Sequence, residues 1–146
     1  MTCDARLAMP QIEVAADLIA VRELAAFVRQ ACAEARVEEL AAIDLELAVV
    51  EAANNIVEHG GEQDGKIGLA FTCAGQEACV VLTDRGRPVS PDLFSRCREV
   101  APDALGGRGI AIMRSCVDEI GYSTSEGINQ LRLVKQVSPA DRALRA

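Results

Sequence analysis

A tight turn in the middle of the chain most limits the folds open to this sequence. The stretches KIGLAFTCAG (66–75) and EACVVLTD (77–84) have the apolar composition of strands, and the turn around Ala74, Gly75 and Gln76 joins them. A connection this short can link antiparallel neighbours only, because parallel strands need a crossover of a dozen or more residues. The second strand is almost continuously apolar, which predicts a central position in the sheet.

Two alanine-rich segments ahead of this hairpin have the spacing of amphipathic helices. Apolar residues recur every three or four positions from about residue 16 to 35 and again from about 38 to 58. The second segment ends at His59, and Gly60 and Gly61 follow it as a left-handed stop. On a helical wheel its broad apolar arc, which we expect to face the core, contains Ile43, Leu45, Leu47, Val49, Val50, Ala53, Ile56 and Val57.

The opposite, narrower arc of the second helix is polar. It carries Asp44, Glu51, Asn55, Glu58 and His59, the single histidine of the chain. Glu51 and Asn55 lie one turn apart, and carboxylate and amide oxygens at this spacing suit a hard cation and an activated hydroxyl. A solvated polar face is the alternative explanation. Asn54 falls at the margin of the apolar arc, where we predict a structural amide bonded to backbone or water.

The rest of the chain adds one strand before the helices and a helix with two strands after the hairpin. We predict an edge strand at 7–14, a long loop at 85–107, a helix at 109–117, and strands at 118–124 and 129–137. This order favours an α+β fold, in which a mostly antiparallel sheet is covered by helices on one face. The length of 146 residues suits a single domain, with a tail from about residue 138 that we expect to fray.

Composition narrows the function classes. The net charge of -7 argues against direct binding to nucleic acid or to anionic lipid. The absence of a long apolar run and of a basic N-terminal leader predicts a cytoplasmic protein without a membrane span. Six scattered cysteines and one histidine fit neither a zinc site nor a disulfide scaffold, so we interpret five of the six as small buried hydrophobes or bystanders. Cys97 lies in a polar loop, and its exposure stays open.

Two glycine-containing stretches downstream contain residues that are suited to binding a ligand. Asp84 ends the apolar strand and Gly86 follows it, so a carboxylate could accept from an exocyclic amine while glycine lets the backbone approach a flat base. An ordinary strand-ending turn explains the same residues. Farther on, Gly106, Gly107 and Gly109 surround Arg108 before an apolar helix, which suits an anion site, although a simple helix entry is the alternative.

The three stretches in this order resemble the nucleotide-binding boxes of the GHKL ATPase superfamily, whose fold is the two-layer Bergerat α/β sandwich. EAANNIVEHG, DRGRPVSPDLF and GGRGIAIMRSCVDEIGY are most similar to the anti-sigma-factor serine kinases of the RsbW and SpoIIAB type, and the resemblance covers nearly the whole chain. It implies that Glu51 is the general base for a serine hydroxyl and that Asn55 holds Mg²⁺ against the triphosphate. His59 matches the histidine at the family's helix end, for which capping or polar packing is expected.

The resemblance also implies how the nucleotide is held. Asp84 matches the aspartate that reads adenine, Gly86 the glycine beside the base, and residues 88–106 the lid. The phosphate side of the site is matched by Gly107, Arg108, Gly109 and Ile110. A threonine common before the last strand of the family has no clear equivalent near residues 127–130.

The function implied is that of an ATP- and Mg²⁺-dependent protein serine kinase. Its protein substrate would be an anti-anti-sigma factor with a STAS domain, and its second partner a sigma factor that it sequesters. Family members often form homodimers. A nucleotide-dependent binding switch without kinase turnover and an RsbT-like kinase that activates a downstream phosphatase are the alternatives.

Overall fold

The computed structural model describes residues 9–59, 65–94 and 107–137, which form a five-stranded sheet and three helices. In chain order the elements are β1 (Gln11–Ala15), α1 (Leu18–Glu34), α2 (Glu39–His59), β2 (Lys66–Ala74), β3 (Glu77–Asp84), a short 3-10 helix (Pro91–Phe94), α3 (Gly107–Cys116), β4 (Glu119–Ser125) and β5 (Ile128–Gln136). Every predicted strand and helix is present, and the ends differ from the predicted ones by only a few residues. The predicted glycine stop at Gly60 and Gly61 and the tail from 138 lie outside the described residues.

The sheet has the strand order β1-β2-β3-β5-β4, and each neighbouring pair is antiparallel. Both hairpins close through positive-φ residues, Gly75 between β2 and β3 and Glu126-Gly127 between β4 and β5. The second hairpin brings β5 back beside β3, so that Asp84 at the end of β3 lies opposite Asn129 at the start of β5. This pairing connects two stretches of chain that are far apart in the sequence.

The three helices cover one face of the sheet. The inward side chains come from alternate positions of the central strands: Ile67, Leu69 and Phe71 on β2, Val80 and Leu82 on β3, and Leu131 and Leu133 on β5. Residues of the other parity, such as Thr72, Gln130 and Arg132, are exposed. The predicted α+β class, with a largely antiparallel sheet and helices on one face, is therefore confirmed.

Side-chain caps start the first two helices. The carboxylate of Asp17 accepts a hydrogen bond from the backbone N–H of Ala20 at 2.9 Å, and the carboxylate of Glu38 does the same for Ala41 at 2.8 Å. Each cap satisfies one of the backbone N–H groups that a helix start leaves without a partner. The helices are further joined by Arg29 of α1, which pairs with Glu46 of α2 at 2.6 Å.

The face of α2 that packs on the core differs from the predicted one. Its buried residues are Ala41, Leu45, Ala48, Val49, Ala52 and Ala53, most of them alanines. Ile43 and Leu47, which we predicted to be buried, are 51% and 41% exposed. The prediction was wrong for Ile43 and Leu47 because the large apolar side chains decided which side of the helical wheel was assigned to the core. In the structure α2 packs closely on its neighbours through small side chains instead.

The cysteines in the described part of the chain are free thiols, with Cys32 and Cys116 buried and Cys73 and Cys79 half-buried. Burial raises the pKa of the Cys32 thiol to about 12, because a thiolate would lose its hydration there. Cys3 and Cys97 lie outside the described residues. None of the described helices combines the length and the apolarity that a bilayer crossing requires.

Leu45 and Ile43 provide a matched test of the orientation of α2. Leu45 is fully buried, so Leu45→Ala is expected to lower the free energy of unfolding by about 2–5 kcal/mol through lost contacts and a residual cavity. Ile43→Ala removes an exposed side chain and is expected to change that free energy by less than about 0.5 kcal/mol. Urea denaturation of the two variants and the unmodified protein measures both values. Equal losses would contradict the orientation described here.

Candidate functional site

A cavity lies between α2, α3 and the end of the sheet where β3 meets β5. Its lining comprises Ala52, Asn55, Ile56, His59, Asp84, Arg87, Val89, Leu93, Phe94, Ile110, Met113, Tyr122 and Leu131. Most of these side chains are apolar or aromatic, and the few polar ones converge from different elements. That composition is typical of a small-molecule site. Three residues singled out by the sequence, Asn55, Asp84 and Ile110, share this lining.

Glu51 and Asn55 meet the beginning of α3 at one edge of the cavity. A methyl group added at Gly109 would lie 3.1 Å from Glu51 Oε1, and 3.4 and 3.5 Å from Nδ2 and Oδ1 of Asn55. The backbone of α3 therefore passes against both polar side chains of α2, so closely that a side chain at position 109 would require Glu51 to shift by a few tenths of an ångström. The structure thus places together two sequence motifs, one on each helix.

The first turn of α3 consists of Gly107, Arg108, Gly109 and Ile110. The sequence predicted a loop up to residue 107 and a helix from residue 109, whereas the helix in the structure begins at Gly107. The four N–H groups of a first turn have no intrahelical acceptors, and the helix dipole makes this end positive. Arg108 is exposed and adds a cationic side chain. The turn is therefore suited to an anion.

A hydrogen-bond network holds Asp84 at the other end of the cavity. Oδ2 of Asp84 accepts from the backbone N–H of Gly86 at 2.8 Å and from Nδ2 of Asn129 at 3.2 Å. The same Asn129 amide donates to the carbonyl of Gly86 at 2.9 Å, and its Oδ1 accepts from the Thr124 hydroxyl at 2.9 Å. Both bonds to Asp84 end on Oδ2, so among the described residues Oδ1 is the oxygen left to accept from a ligand.

A comparison with known families decides what kind of domain carries this cavity. Residues 14–135 match the family model described as the histidine kinase-like ATPase domain. The chain belongs to this family. The match includes α2, α3 and the three strands that line the cavity, β3, β4 and β5, apart from the last residue of β5.

Individual relatives agree with this assignment. The serine-protein kinase RsbW of Halalkalibacterium halodurans is 24% identical over 92 residues, a match that covers 58% of this chain and 57% of the relative. The chain therefore spans less than two thirds of that protein's length. This similarity and the family match confirm the resemblance to the GHKL superfamily and its anti-sigma-factor kinase branch.

Solved structures show the same fold at low sequence identity. The RsbU and RsbW domains of Rv1364c from Mycobacterium tuberculosis superpose with a TM-score of 0.65 at 23% identity, over 88% of this chain and 32% of that one. The catalytic domain of the histidine kinase ThkA gives a TM-score of 0.57 at 15% identity, over 90% of this chain and 99% of that one. At these identities the likeness concerns the ATPase-domain fold and nothing more.

Asn129 is the site residue that the sequence reasoning missed. Residues 127–130 contain no threonine equivalent to the one common in the family. In the structure Asn129, 2% exposed, bonds to Asp84 from this region. A signal was present, because Asn129 has the same strand parity as Leu131 and Leu133 and so faces inward among apolar residues.

The start of the lid segment predicted at 88–106 is attached to the sheet and to α3. The backbone N–H of Val89 donates to the Tyr122 hydroxyl at 3.1 Å, and the rings of Phe94 and Tyr122 are 5.2 Å apart. Nη2 of Arg114 on α3 donates to the carbonyl of Leu93 at 2.8 Å. Residues 95–106 lie outside the described part of the chain, so the lid itself stays a prediction.

The two remaining polar residues of the α2 motif have different surroundings. His59 is half-buried at the end of α2, lines the cavity, and has Nε2 at 3.6 Å from Oε1 of Glu58. A position in polar packing at the helix end agrees with our expectation for it. Asn54 is half-buried, and its structural role stays a prediction.

Asn129→Ala is expected to weaken ATP binding about tenfold, because Asp84 and the Gly86 carbonyl lose their shared donor and the carboxylate can turn away. The free energy of unfolding should also fall by about 1–3 kcal/mol, since the half-buried Gly86 carbonyl and the Asp84 carboxylate lose a hydrogen-bond donor. Calorimetric titration with ATP measures the first effect and urea denaturation the second.

Gln130→Ala, on the exposed side of the same strand, is the matched control and should leave both values unchanged. An Asn129→Ala variant that binds ATP as tightly as the unmodified protein would contradict the assigned role of the network.

Proposed function

We propose that this chain is an ATP-dependent protein serine kinase of the anti-sigma-factor type. Its substrate would be a serine in an anti-anti-sigma factor with a STAS domain, and it would sequester a sigma factor when that antagonist is phosphorylated. The observation that carries the proposal is the contact of Glu51 and Asn55 with Gly109 in the first turn of α3. A carboxylate, a metal-binding amide and an anion-binding helix start are the groups that phosphoryl transfer to a hydroxyl needs.

The base of ATP would occupy the end of the cavity at Asp84. Oδ1 of Asp84 would accept from the exocyclic amine of adenine, while the network through Asn129 fixes the carboxylate. The apolar walls from Ile110, Met113 and Leu131 suit the faces of a purine ring. With the base at Asp84, the triphosphate would extend toward the other end of the cavity, at the start of α3.

The phosphates would meet the first turn of α3. Its free N–H groups and Arg108 would offset their negative charge. Oδ1 of Asn55 is a hard oxygen donor in the lining of the cavity, so the residues present fit Mg²⁺, which Asn55 would hold. When bound, Mg²⁺ would neutralise the charge of the phosphates and orient them.

In the transfer step, Glu51 would act as the general base. The serine oxygen forms a bond to the γ-phosphorus while the bond from that phosphorus to the β–γ bridging oxygen breaks, and ADP leaves with the bonding electron pair. The serine proton passes to the carboxylate of Glu51. The close contact between α2 and α3 would hold the base and the phosphate-binding turn at a fixed separation, which favours in-line attack.

The partners follow from the relatives rather than from the cavity. The similarity to the serine-protein kinase RsbW supports a protein serine as the acceptor, and a STAS-domain substrate and a sigma factor are the partners that the resemblance to the anti-sigma-factor kinases implies. A cytoplasmic homodimer is part of the same proposal.

Replacing Glu51 separates chemistry from binding. Glu51→Ala is expected to slow serine phosphorylation by about 10²–10⁴-fold, because a general base contributes about this much, while ATP binding is retained. The assay combines radiolabelled ATP with purified STAS-domain proteins of the source organism and identifies phosphoserine by mass spectrometry. Glu58→Ala is the control, because Glu58 is an exposed glutamate on the same helix. Undiminished transfer by Glu51→Ala would refute the assigned base.

The two adjacent asparagines provide a matched pair for the metal site. Asn55→Ala is expected to weaken ATP binding about tenfold in the presence of Mg²⁺ and far less in EDTA, because it removes a metal ligand. Asn54→Ala should leave both affinities unchanged, since its side chain is about 100° away around the helix. Calorimetric titrations with and without Mg²⁺ measure these affinities. Equal losses for Asn55→Ala in the two buffers would exclude a role for Asn55 in metal binding.

A further inference from the structure

Three large apolar side chains are exposed along α2, and we call them the α2 stripe. They are Leu40, Ile43 and Leu47, which are 69%, 51% and 41% exposed. Residues at this 3-4 spacing lie in one line along a helix. The core is packed from the opposite side of α2, so the fold itself does not use the stripe. A row of exposed large aliphatic residues marks a surface that a partner covers.

The α2 stripe leads to the proposed catalytic base. Glu51 follows Leu47 by one helical turn and lies almost directly above it. From Leu40 to Glu51 the distance along the helix axis is about 16 Å, at 1.5 Å per residue. None of the three stripe residues lines the cavity, so a nucleotide bound there would not contact them. The stripe therefore lies outside the nucleotide site and on the approach to Glu51.

The charges around the stripe select the kind of partner. On its flanks, Asp44 is paired with Lys135 at 2.9 Å, and Glu46 is paired with Arg29 at 2.6 Å. Within the described part of the chain, Glu39 and Glu51 at the two ends of the stripe form no ion pair. Packing two copies of the stripe together would bring such acidic groups near one another, whereas an apolar partner surface with lysines or arginines at its rim would complement them.

We propose that the α2 stripe is the docking surface for the protein substrate of the kinase. An apolar segment of the substrate, bordered by basic residues, covers Leu40, Ile43 and Leu47 and brings the acceptor serine to Glu51. This inference rests on the proposed kinase function, and it adds where the substrate binds and by which chemistry. Docking on the stripe would hold the substrate protein near the site, so the stripe contributes to substrate affinity, while Glu51 acts in the chemical step.

The test uses Leu40→Glu and Ile43→Glu, which lie at least two helical turns from Glu51, with Ile19→Glu as the matched control. Ile19 is 71% exposed on α1, so the control adds the same charge at an equally exposed aliphatic position away from the stripe. The probe is the purified STAS-domain protein of the source organism, and circular dichroism checks that each variant is folded. We expect the KM for this protein to rise about tenfold or more in both stripe variants, with kcat and the Kd for ATP unchanged. Ile19→Glu should match the unmodified protein.

The outcomes separate docking from catalysis. If the unmodified protein forms phosphoserine and the stripe variants keep its KM, docking on the stripe is overturned and the kinase function stands. If the STAS-domain protein binds, loses affinity in the stripe variants and is never phosphorylated, the kinase function is overturned and docking stands. Absence of both binding and transfer overturns both. Variants that turn a dimer into a monomer without changing KM show a contact between copies and overturn the proposal.

Discussion

The pairing of β3 with β5 is the constraint on which the rest of the site depends. It sets Asp84 opposite Asn129, and a slip of one residue would turn Asn129 to the exposed face of the sheet. The network from Thr124 through Asn129 to Asp84 and Gly86 would then be lost. The register is fixed by the inward aliphatic residues of both strands, since burying Leu82 against Leu131 requires the same alignment. A polar site is thus positioned by apolar packing two residue pairs farther along the sheet.

The second half of the site depends on how closely two helices approach. Gly109 allows the first turn of α3 to lie against Glu51 and Asn55, so that a helix dipole, a carboxylate and an amide share one small volume. The alanines of α2 serve the same end, because small buried side chains let this helix sit deep in the layer. Leu40, Ile43 and Leu47 lie on the opposite side of α2 from these alanines and are exposed.

The sequence was sufficient to predict the order of the elements, both hairpins and the motif residues, since periodicity and turn chemistry are local properties. Asp84 and Glu51 could be chosen because each belongs to a short pattern of its own. Asn129 could not be chosen in this way, because its role depends on a strand 45 positions away in the chain. The orientation of α2 was missed for a related reason. Which of two apolar sides faces the core is decided by the fit of a whole helix against its neighbours, and a wheel contains no information about those neighbours.

The attachment of the segment after β3 has a consequence for nucleotide sensing. Val89 and Phe94 are held by Tyr122 of β4, and Leu93 is held by Arg114 near the end of α3, so this wall of the cavity is attached away from the first turn of α3. ATP and ADP carry the same base, and under the proposed function the Asp84 end would treat them alike. They differ by a single phosphoryl group, which would contact the protein only at the start of α3. A response to the number of phosphates would therefore begin at Gly109. Gly109 lies against Glu51 and Asn55 of α2, the helix that also carries the exposed stripe.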